Sequence, residues 1–302
     1  MIEKSKQYKT QPIVIFGEVL IDQFPDGLQV LGGAPFNVAW HLQAFGQHPC
    51  FISRVGNDAM GESITQAMSD WGMTVEYLQT DPDYATGTVK VTLNKDEPSY
   101  EILANQAYDF IAAQQLNPAN PYSVIYHGTL ALRNDVSEQA LNALKARHTG
   151  KVFVDVNLRA PWWHKDSVNQ WVSNADWVKL NHDELMQLAP QQNTMKDAMQ
   201  LFLNQHNLDV LIVTCGSSGA MALNNAGEFF EVDPAVNLPI VDTVGAGDAF
   251  SAVLLLGMQQ GWSLPVTLDR AQAFASALVG QRGATVQDLN FYQPFMRAWN
   301  LD

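Results

Sequence analysis

Residues 241–251 read Val-Asp-Thr-Val-Gly-Ala-Gly-Asp-Ala-Phe-Ser, a glycine-rich turn that leads into apolar residues. From Phe250 to Met258 the apolar residues recur at helical spacing, which predicts that Gly245–Gly247 lies at the start of a helix. The first N–H groups of a helix have no partner within it, and together with the helix dipole they attract anions. Glycine also lets a ligand approach the backbone closely. The stretch therefore predicts a phosphate site.

The carboxylate of Asp248 follows this turn directly. It would repel a phosphate unless it faced a different atom, such as a hydroxyl about to attack that phosphate. This arrangement favours phosphoryl transfer. The alternative is an ordinary glycine-rich helix start in which Asp248 only interacts with the dipole, and for the turn alone that alternative is favoured. The rest of the chain decides between the two.

Composition predicts one soluble α/β domain spanning residues 1–302, with at most a small appendage. The 302 residues are 47% hydrophobic and 16% charged, enough for a large core. The formal net charge of −14 disfavours nucleic acid and anionic membranes as partners, because both bind basic surfaces. Cys50 and Cys215, the only cysteines, are interpreted as reduced thiols of a cytoplasmic protein. No apolar run is long enough to span a bilayer, and no zinc-ligand spacing occurs.

Short apolar runs alternate with helical stretches along most of the chain. The runs are Ile13–Phe16, Val124–His127, Val152–Asn157, Trp177–Asn181 and Val210–Thr214. Such alternation predicts an α/β fold with a doubly covered, mostly parallel central sheet, whose ligands bind at the carboxyl ends of the strands.

Polar residues follow strand after strand, which favours a binding site over a series of isolated caps. They are Asp22, Asn157, Arg159, Asn181, Glu184, Thr214 and Gly216. A second glycine pair, Gly32-Gly33, precedes a predicted helix that begins near Asn37 and ends at Gly46. We interpret it as a second ligand-binding turn, with a tight turn and a helix cap as the alternative.

Residues 87–103 alternate apolar and polar side chains around a turn at residues 95–98, which predicts a hairpin outside the main sheet. We assign residues 18–35 and 75–107 to a small β-sheet lid. Its apolar face, with Val89, Val91 and Leu93, must be covered by the sheet or by a second copy, and we predict a homodimer through it. Thr88, Lys90 and Thr92 would then face solvent or substrate.

These segments resemble the ribokinase-like (PfkB-type) carbohydrate kinases over nearly the whole chain. Two motifs carry the resemblance, residues 32–39 and residues 242–248, in the order of that family. Gly17–Asp22 and Asp155–Arg159 are similar to the fructokinase branch in particular. The resemblance implies an ATP-dependent kinase that phosphorylates a primary hydroxyl of a small sugar, with fructose as the first candidate. It also implies that the kinase uses Mg²⁺ and, as many relatives do, binds K⁺.

The resemblance also implies residue roles. Catalytic roles fall to Asp248 as the base, to Gly245, Ala246 and Gly247 as the anion hole, and to Arg159 near the transferred phosphate. Sugar contacts fall to Asp22, Gly32, Gly33, Asn37, Asn105 and Asn157. Nucleotide and magnesium contacts fall to Asn181, Glu184, Thr214, Gly216, Gly219 and Gln272. Backbone carbonyls of Asp242, Val244, Leu278, Gln281 and Gly283 would hold the monovalent cation.

The chain departs from the family pattern at two of these places. Ala104 stands before Asn105 where fructokinase-like members carry an arginine, which leaves other sugars, sugar acids and nucleosides open as substrates. Gln272 stands where asparagine or histidine is usual near the adenine.

Two interpretations from other classes remain. A dinucleotide-dependent oxidoreductase also needs glycines between strand and helix, but no G-x-G-x-x-G follows the first strand. A catalytically silent sugar- or nucleotide-binding regulator is the other, and the intact Asp248 argues against it.

Overall fold

The computed structural model describes residues 11–93, 98–116, 122–189, 192–234 and 240–301. Within these ranges the strands are β1 (Ile13–Phe16), β2 (Leu20–Gln23), β3 (Gln29–Gly32), β4 (Cys50–Gly56), β5 (Leu78–Asp81), β6 (Gly87–Leu93), β7 (Pro98–Ile102), β8 (Val124–His127), β9 (Lys151–Asp155), β10 (Trp177–Asn181), β11 (Val210–Thr214), β12 (Ala220–Asn224) and β13 (Phe229–Val232). The α-helices are α1 (Ala34–Ala44), α2 (Ala59–Asp70), α3 (Asp135–Lys145), α4 (Lys165–Val172), α5 (His182–Leu188), α6 (Met195–His206), α7 (Ala246–Gln260), α8 (Leu264–Leu278) and α9 (Gln293–Trp299).

The larger sheet has nine strands in the order β13-β12-β11-β10-β9-β8-β1-β4-β5. Every pairing from β11 through β5 is parallel, and β12 and β13 add an antiparallel edge. The parallel strands are almost continuously buried because helices cover both faces. The predicted α/β class, with its mostly parallel central sheet, is confirmed.

The two faces of this sheet bury separate apolar clusters. Phe153 and Ile212 pack with helices α1, α2, α7, α8 and α9 on one face. Val154 and Leu211 pack with α3, α4, α5 and α6 on the other. Alternate residues of one strand therefore reach opposite layers, as the period of a β-strand requires. The carboxyl ends of β1, β8, β9, β10 and β11 lie side by side at one edge, because parallel strands end together.

The predicted strands at Ile13–Phe16, Val124–His127, Trp177–Asn181 and Val210–Thr214 have these same bounds in the structure. The remaining predicted run, Val152–Asn157, is shorter as a strand, because β9 ends at Asp155. Beyond it Asn157 takes a left-handed backbone conformation (φ 42°), which turns the chain out of the sheet.

The smaller sheet contains the predicted hairpin and has the order β3-β2-β6-β7. Strand β2 pairs in parallel with β6 and antiparallel with β3, and β6 pairs antiparallel with β7, so these four strands form one layer. The turn predicted at residues 95–98 lies outside the described residues up to Pro98, where β7 begins.

The prediction that Val89 and Val91 pack against a second copy of the lid is wrong. Val89 and Val91 are only 5% and 3% exposed within the single chain, and Val89 packs with Leu20 and Tyr108. Asp22 pairs directly with Val89, and partners in register project to the same face, so the apolar face is turned towards the side of Asp22.

On the other face of the lid, only Thr88 differs from the prediction. Thr88 is buried and its Oγ1 approaches the Met60 sulfur at 4.0 Å, whereas Lys90 and Thr92 are exposed. The side chain of Leu93 lies outside the described part. A homodimer stays a prediction, but Val89 and Val91 are not available to it, because the chain already covers them.

No helix in the described ranges is both long enough and apolar enough to cross a membrane.

Candidate active site

Helix α7 begins where the sequence predicts, and Gly245 is its N-cap with a left-handed backbone (φ 79°). A Cβ at this position would lie 2.5 Å from the Cα atom of Ala284, so only glycine fits between the turn and the segment after α8. Asp242 holds the same two segments together, because its Oδ2 accepts from the Gly283 N–H at 3.0 Å and its Oδ1 from the Val244 N–H at 3.0 Å.

The turn presents unpaired donors at the start of α7. Among the described residues, the N–H groups of Gly247 and Asp248 have no acceptor, whereas that of Ala246 makes a long 3.3 Å bond to the Thr243 carbonyl. Free N–H groups at the positive end of a 15-residue helix are a ready anion site. Of the three residues predicted for the anion hole, Ala246 thus has its donor partly used, and Asp248 adds a free one.

Asp248 lies in the first turn of α7 and is half-buried. Asn37 donates from Nδ2 to Asp248 Oδ2 at 2.8 Å, which joins the two glycine-rich motifs although 211 positions separate them. Burial raises the pKa of Asp248 to about 6, and the Asn37 hydrogen bond, Lys179 and Arg159 oppose that rise. The carboxyl is therefore mostly ionised at neutral pH and can accept a proton.

Asn37 is placed by helix α1, which begins after Gly33. Gly33 has φ 107°, and a Cβ there would meet the Glu18 carbonyl oxygen at 2.7 Å. Pro35 follows in the first turn of the helix, where its missing N–H costs nothing. This close approach holds the second glycine motif against the end of β1.

Asp22 extends from β2 towards the same region. Its Oδ2 lies 3.1 Å from where a Cβ of Gly32 would be, so a side chain at Gly32 would crowd the carboxylate. Burial raises the pKa of Asp22 to about 6, and Arg159 opposes the rise. The structure thus places Asp22 beside Gly32, and Gly33 caps the helix that carries Asn37; the predicted sugar contacts of these residues stay predictions.

Arg159 is exposed after β9, and its guanidinium has no hydrogen bond or ion pair among the described residues. Its charge nevertheless acts on the pKa values of Asp22, Asp248 and Glu18. A free cation within electrostatic reach of three carboxyls is suited to an incoming phosphate.

Glu18 is a site residue for which the sequence predicted no role. It is 2% exposed, and its Oε2 has no partner among the described residues. Burial raises the pKa of Glu18 to about 7, and nearby Arg159 lowers it while Asp248 raises it. A glutamate directly after a buried strand was the pattern in the sequence that could have indicated a role for Glu18.

Asn181 and Glu184 form a capping box at the start of α5. Asn181 Oδ1 accepts from the Glu184 N–H at 2.9 Å, and Glu184 Oε2 accepts from the Asn181 N–H at 2.8 Å. Glu184 Oε1 accepts from the Leu158 N–H at 2.7 Å, which fixes the segment before Arg159. Both side chains thus stabilise the start of the helix and the neighbouring loop. Their predicted nucleotide and magnesium roles stay predictions.

The remaining predicted nucleotide residues lie along the neighbouring strand end and helix α8. Thr214 pairs in register with Asn181, and the loop of Gly216 and Gly219 follows it. Gln272 is buried on α8 and donates from Nε2 to Ser276 Oγ at 3.0 Å.

The last two predicted groups are Asn105 and the segments proposed to hold a monovalent cation. Asn105 is exposed after β7 with φ 54°, and its side chain has no hydrogen bond among the described residues. The cation segments of Asp242–Val244 and Leu278–Gly283 are joined by the bond from Gly283 to Asp242, and the Leu278 carbonyl accepts from the Gln281 N–H at 2.7 Å.

Sequence reasoning also missed a buried ion pair below the turn. Lys179 Nζ lies 2.9 and 2.8 Å from the two carboxylate oxygens of Asp155. Each charge interrupts an apolar strand, Lys179 in β10 and Asp155 at the end of β9, and that interruption was a readable signal.

Known proteins resemble this chain over most of its length. It is 31% identical to a fructokinase of Klebsiella pneumoniae over 262 residues, 82% of this chain and 84% of that protein. It is 30% identical to an aminoimidazole riboside kinase of Salmonella typhimurium over 281 residues, 88% and 84% of the two chains. A structure of Vibrio cholerae fructokinase with fructose, ADP and a calcium ion superposes with a TM-score of 0.79 at 26% identity, covering 94% of this chain and 99% of that one.

The model of the pfkB family carbohydrate kinases matches residues 9–289. That range contains both glycine motifs, the turn at Gly245–Gly247 and the carboxylate of Asp248, which the structure joins through Asn37. The chain belongs to the pfkB family of carbohydrate kinases and is a sugar kinase.

Proposed function

We propose that this kinase transfers the γ-phosphate of ATP to a primary hydroxyl of a small sugar, with fructose as the first candidate. The hydrogen bond from Asn37 to Asp248, beside the unpaired N–H groups of Gly247 and Asp248, carries the proposal. It puts a proton acceptor, a sugar contact and an anion site at one point. The resemblance to fructokinases supports the choice of fructose.

In the proposed reaction Asp248 accepts the proton of the sugar hydroxyl while that oxygen forms a bond to the γ-phosphorus. The bond from the γ-phosphorus to its bridging oxygen breaks, and ADP leaves. Since phosphoryl transfer passes through a loose transition state, placement of charges and donors dominates the catalysis. The free N–H groups of the turn and the Arg159 guanidinium supply them.

The sugar would lie between the turn and the smaller sheet. Asp22 and Asn37 would accept and donate hydrogen bonds to its hydroxyls, and the lack of a side chain at Gly32 keeps the Asp22 carboxylate uncrowded. Asn157 and Asn105 would add contacts when the lid, residues 18–35 and 75–107, closes over the cleft. Closure excludes water, which would otherwise compete with the sugar for the phosphate.

ATP would extend along the ends of β10 and β11 towards α8. Asn181, Thr214, Gly216, Gly219 and Gln272 would line that path; the pairing of Asn181 with Thr214 at the strand ends supports this proposal. The presence of ADP in the Vibrio cholerae fructokinase structure supports this proposal.

Magnesium would be held mainly by the phosphates of ATP and by water. Mg²⁺ keeps several waters and needs only one or two carboxylates, and the described residues offer no cluster of three or more His, Cys, Asp or Glu side chains for a metal. Glu184, with both oxygens receiving backbone N–H groups, would orient a bound water. When bound, Mg²⁺ neutralises phosphate charge.

A monovalent cation such as K⁺ is proposed for the loops that Asp242 ties together. Its ligands would be the backbone carbonyls of Asp242, Val244, Leu278, Gln281 and Gly283. The bond from Gly283 to Asp242 already fixes the spacing of these loops, and it supports the proposal.

A riboside is the second candidate substrate. Tyr100 pairs in register with the buried Val91 on the lid face turned towards Asp22, and it is 53% exposed. Partial burial and the charge of Asp22 raise the pKa of Tyr100. An exposed aromatic ring on this face suits a flat ring attached to the sugar. Similarity to an aminoimidazole riboside kinase supports this candidate too.

The test is ADP release by the purified protein with ATP, Mg²⁺ and a panel of fructose, other ketoses, ribose, sugar acids and ribosides. We expect fructose or a riboside to give the highest kcat/KM, with phosphate on the primary hydroxyl by ³¹P NMR. Sugar-independent ADP release, or none with any sugar, would contradict the proposal. Repeating the assay in KCl, NaCl and a large organic cation tests the cation site.

A further inference from the structure

The Asp155–Lys179 ion pair lies buried directly beneath the anion-binding turn. Both residues face the same side of the central sheet, because they pair in register on β9 and β10. Lys179 is 6% exposed and Asp155 is 3% exposed. A Cβ at Gly247 would lie only 3.5 Å from Lys179 Nζ, so the ammonium group and the turn are in contact distance.

Asp155 is also bonded to the helix that carries Asp248. Ser251 Oγ lies 2.7 Å from Asp155 Oδ2 and 3.0 Å from the Gly247 carbonyl oxygen. Tyr126 donates from its hydroxyl to Asp155 Oδ2 at 3.1 Å. The carboxylate therefore fixes the first turn of α7 against the sheet from below, while Asn37 holds Asp248 from the side.

A buried ion pair is weak evidence for stability alone. Desolvation of two charges opposes their attraction, and apolar residues of similar size often serve as well. Lys179 also keeps a donor in reserve, because an ammonium group has three N–H bonds and the contacts in the described residues use two, both to Asp155. A positive charge with an unused N–H donor next to a predicted phosphate site is suited to stabilise the negative charge bound there.

We propose that the Asp155–Lys179 pair is a positioning element of the phosphoryl-transfer site, which controls the ionisation of Asp248 and keeps a fixed positive charge beneath the anion-binding turn. Neither residue touches the sugar in this proposal. Lys179 acts through the turn, and Asp155 holds Lys179 and Ser251 in place. The inference rests on the proposed role of Asp248 as the base.

The charges around Asp248 set the expected directions. Asp155 and Glu18 are the negative neighbours, Lys179 and Arg159 are the positive ones, and the neutral hydroxyl of Tyr126 and amide of Asn37 complete the surroundings. Asp155 raises the pKa of Asp248 and Lys179 lowers it. Removing one partner must therefore shift the pKa of Asp248 in the opposite direction from removing the other.

The experiment compares Lys179→Met, Asp155→Asn and the double variant with the parent enzyme. We expect the acid limb of the kcat/KM profile to move up by about one pH unit in Lys179→Met and down in Asp155→Asn, since a neighbouring charge shifts a pKa by about one unit or more. We also expect kcat to fall at least about tenfold in Lys179→Met and in the double variant, because both lose the charge under the phosphate.

The double variant separates this role from a structural one. It leaves no unpaired buried charge, so its melting temperature should exceed that of Lys179→Met. If it also recovers the kcat of the parent, the pair is only structural and the proposal is wrong. Lys151→Met is the matched control, since Lys151 pairs with Asp176 at 2.8 Å at the opposite end of β9, and it should change neither the profile nor kcat.

Carboxyl ¹³C NMR of Asp248, assigned with Asp248→Asn, gives a readout that needs no turnover. Opposite shifts in the two single variants support the proposal, and equal or absent shifts overturn it. Absence of sugar phosphorylation by the parent would instead refute the proposed function, so the two failures are distinguishable.

Discussion

Asn37→Ala should raise the pKa of Asp248, the proposed base, without unfolding the protein. Asn37 Nδ2 donates to Asp248 Oδ2 at 2.8 Å and stabilises its ionised form. A hydrogen bond to a charged group contributes about 1.5–3 kcal/mol, and one pKa unit corresponds to about 1.4 kcal/mol. Because Asp248 is half-buried and water can replace part of the bond, we expect the lower end, a rise of about one unit.

The direction follows from which form the hydrogen bond favours. The pKa of Asp248 is about 6 in the parent, so half of the carboxyls are ionised at pH 6. A rise to about 7 leaves about a tenth ionised at that pH, so kcat/KM at pH 6 should fall about fivefold more than it does at pH 9. Loss of the contact to the sugar should raise KM equally at all pH values, which separates the two effects.

The assay is a pH profile of kcat/KM from pH 5 to 9 with ADP detection. Gln43→Ala is the matched control, because Gln43 lies on the same helix and donates to the Gly72 carbonyl at 3.0 Å, away from Asp248. A profile of Asn37→Ala with an unmoved or lowered acid limb would refute the reasoning, since the bond would then not stabilise the carboxylate.

The other predictions concern the base, the free cation and the turn. Asp248→Asn should lower kcat by roughly 10²–10⁴-fold while ATP affinity measured by calorimetry stays similar, and turnover within a few-fold of the parent would exclude a general base. Arg159→Ala should lower kcat more than it raises KM for the sugar, because its charge is needed in the transition state; an effect on KM alone would place it in the sugar pocket. Gly245→Ala should lower the melting temperature, since its φ of 79° and the approach of Ala284 exclude a side chain. Gly247→Ala should keep or raise that temperature yet lose activity, because helix geometry accepts alanine there and the phosphate does not; normal kinetics would make the turn merely structural.

The sequence alone determined the class of fold and located the two glycine-rich motifs of the candidate site. Short apolar runs that alternate with helical stretches indicate strands buried on both faces, and the helices between them favour parallel pairing. The glycine turn before Phe250 could likewise be located, because a helix start with free N–H groups is a local feature. The fold class and the helix start at Ala246 agree with these predictions.

Only the tertiary structure decided which residues that are distant in sequence come into contact. The bond from Asn37 to Asp248 joins residues 211 positions apart, and the contact of Gly245 with Ala284 depends on the packing of α7 and α8. No local pattern contains such a pairing.

The lid shows the same limit. Alternation in β6 predicted which side chains share a face, but the side on which that face lies depends on the register with β2. That register pairs Val89 with Asp22. The face that was predicted to contact a second copy is instead buried within the chain. In the sequence, Lys179 and Asp155 are each an isolated charge in an apolar strand. Their pairing is set by β9 and β10, which place them side by side beneath the turn. Periodicity indicates which way a side chain points but not what it contacts there.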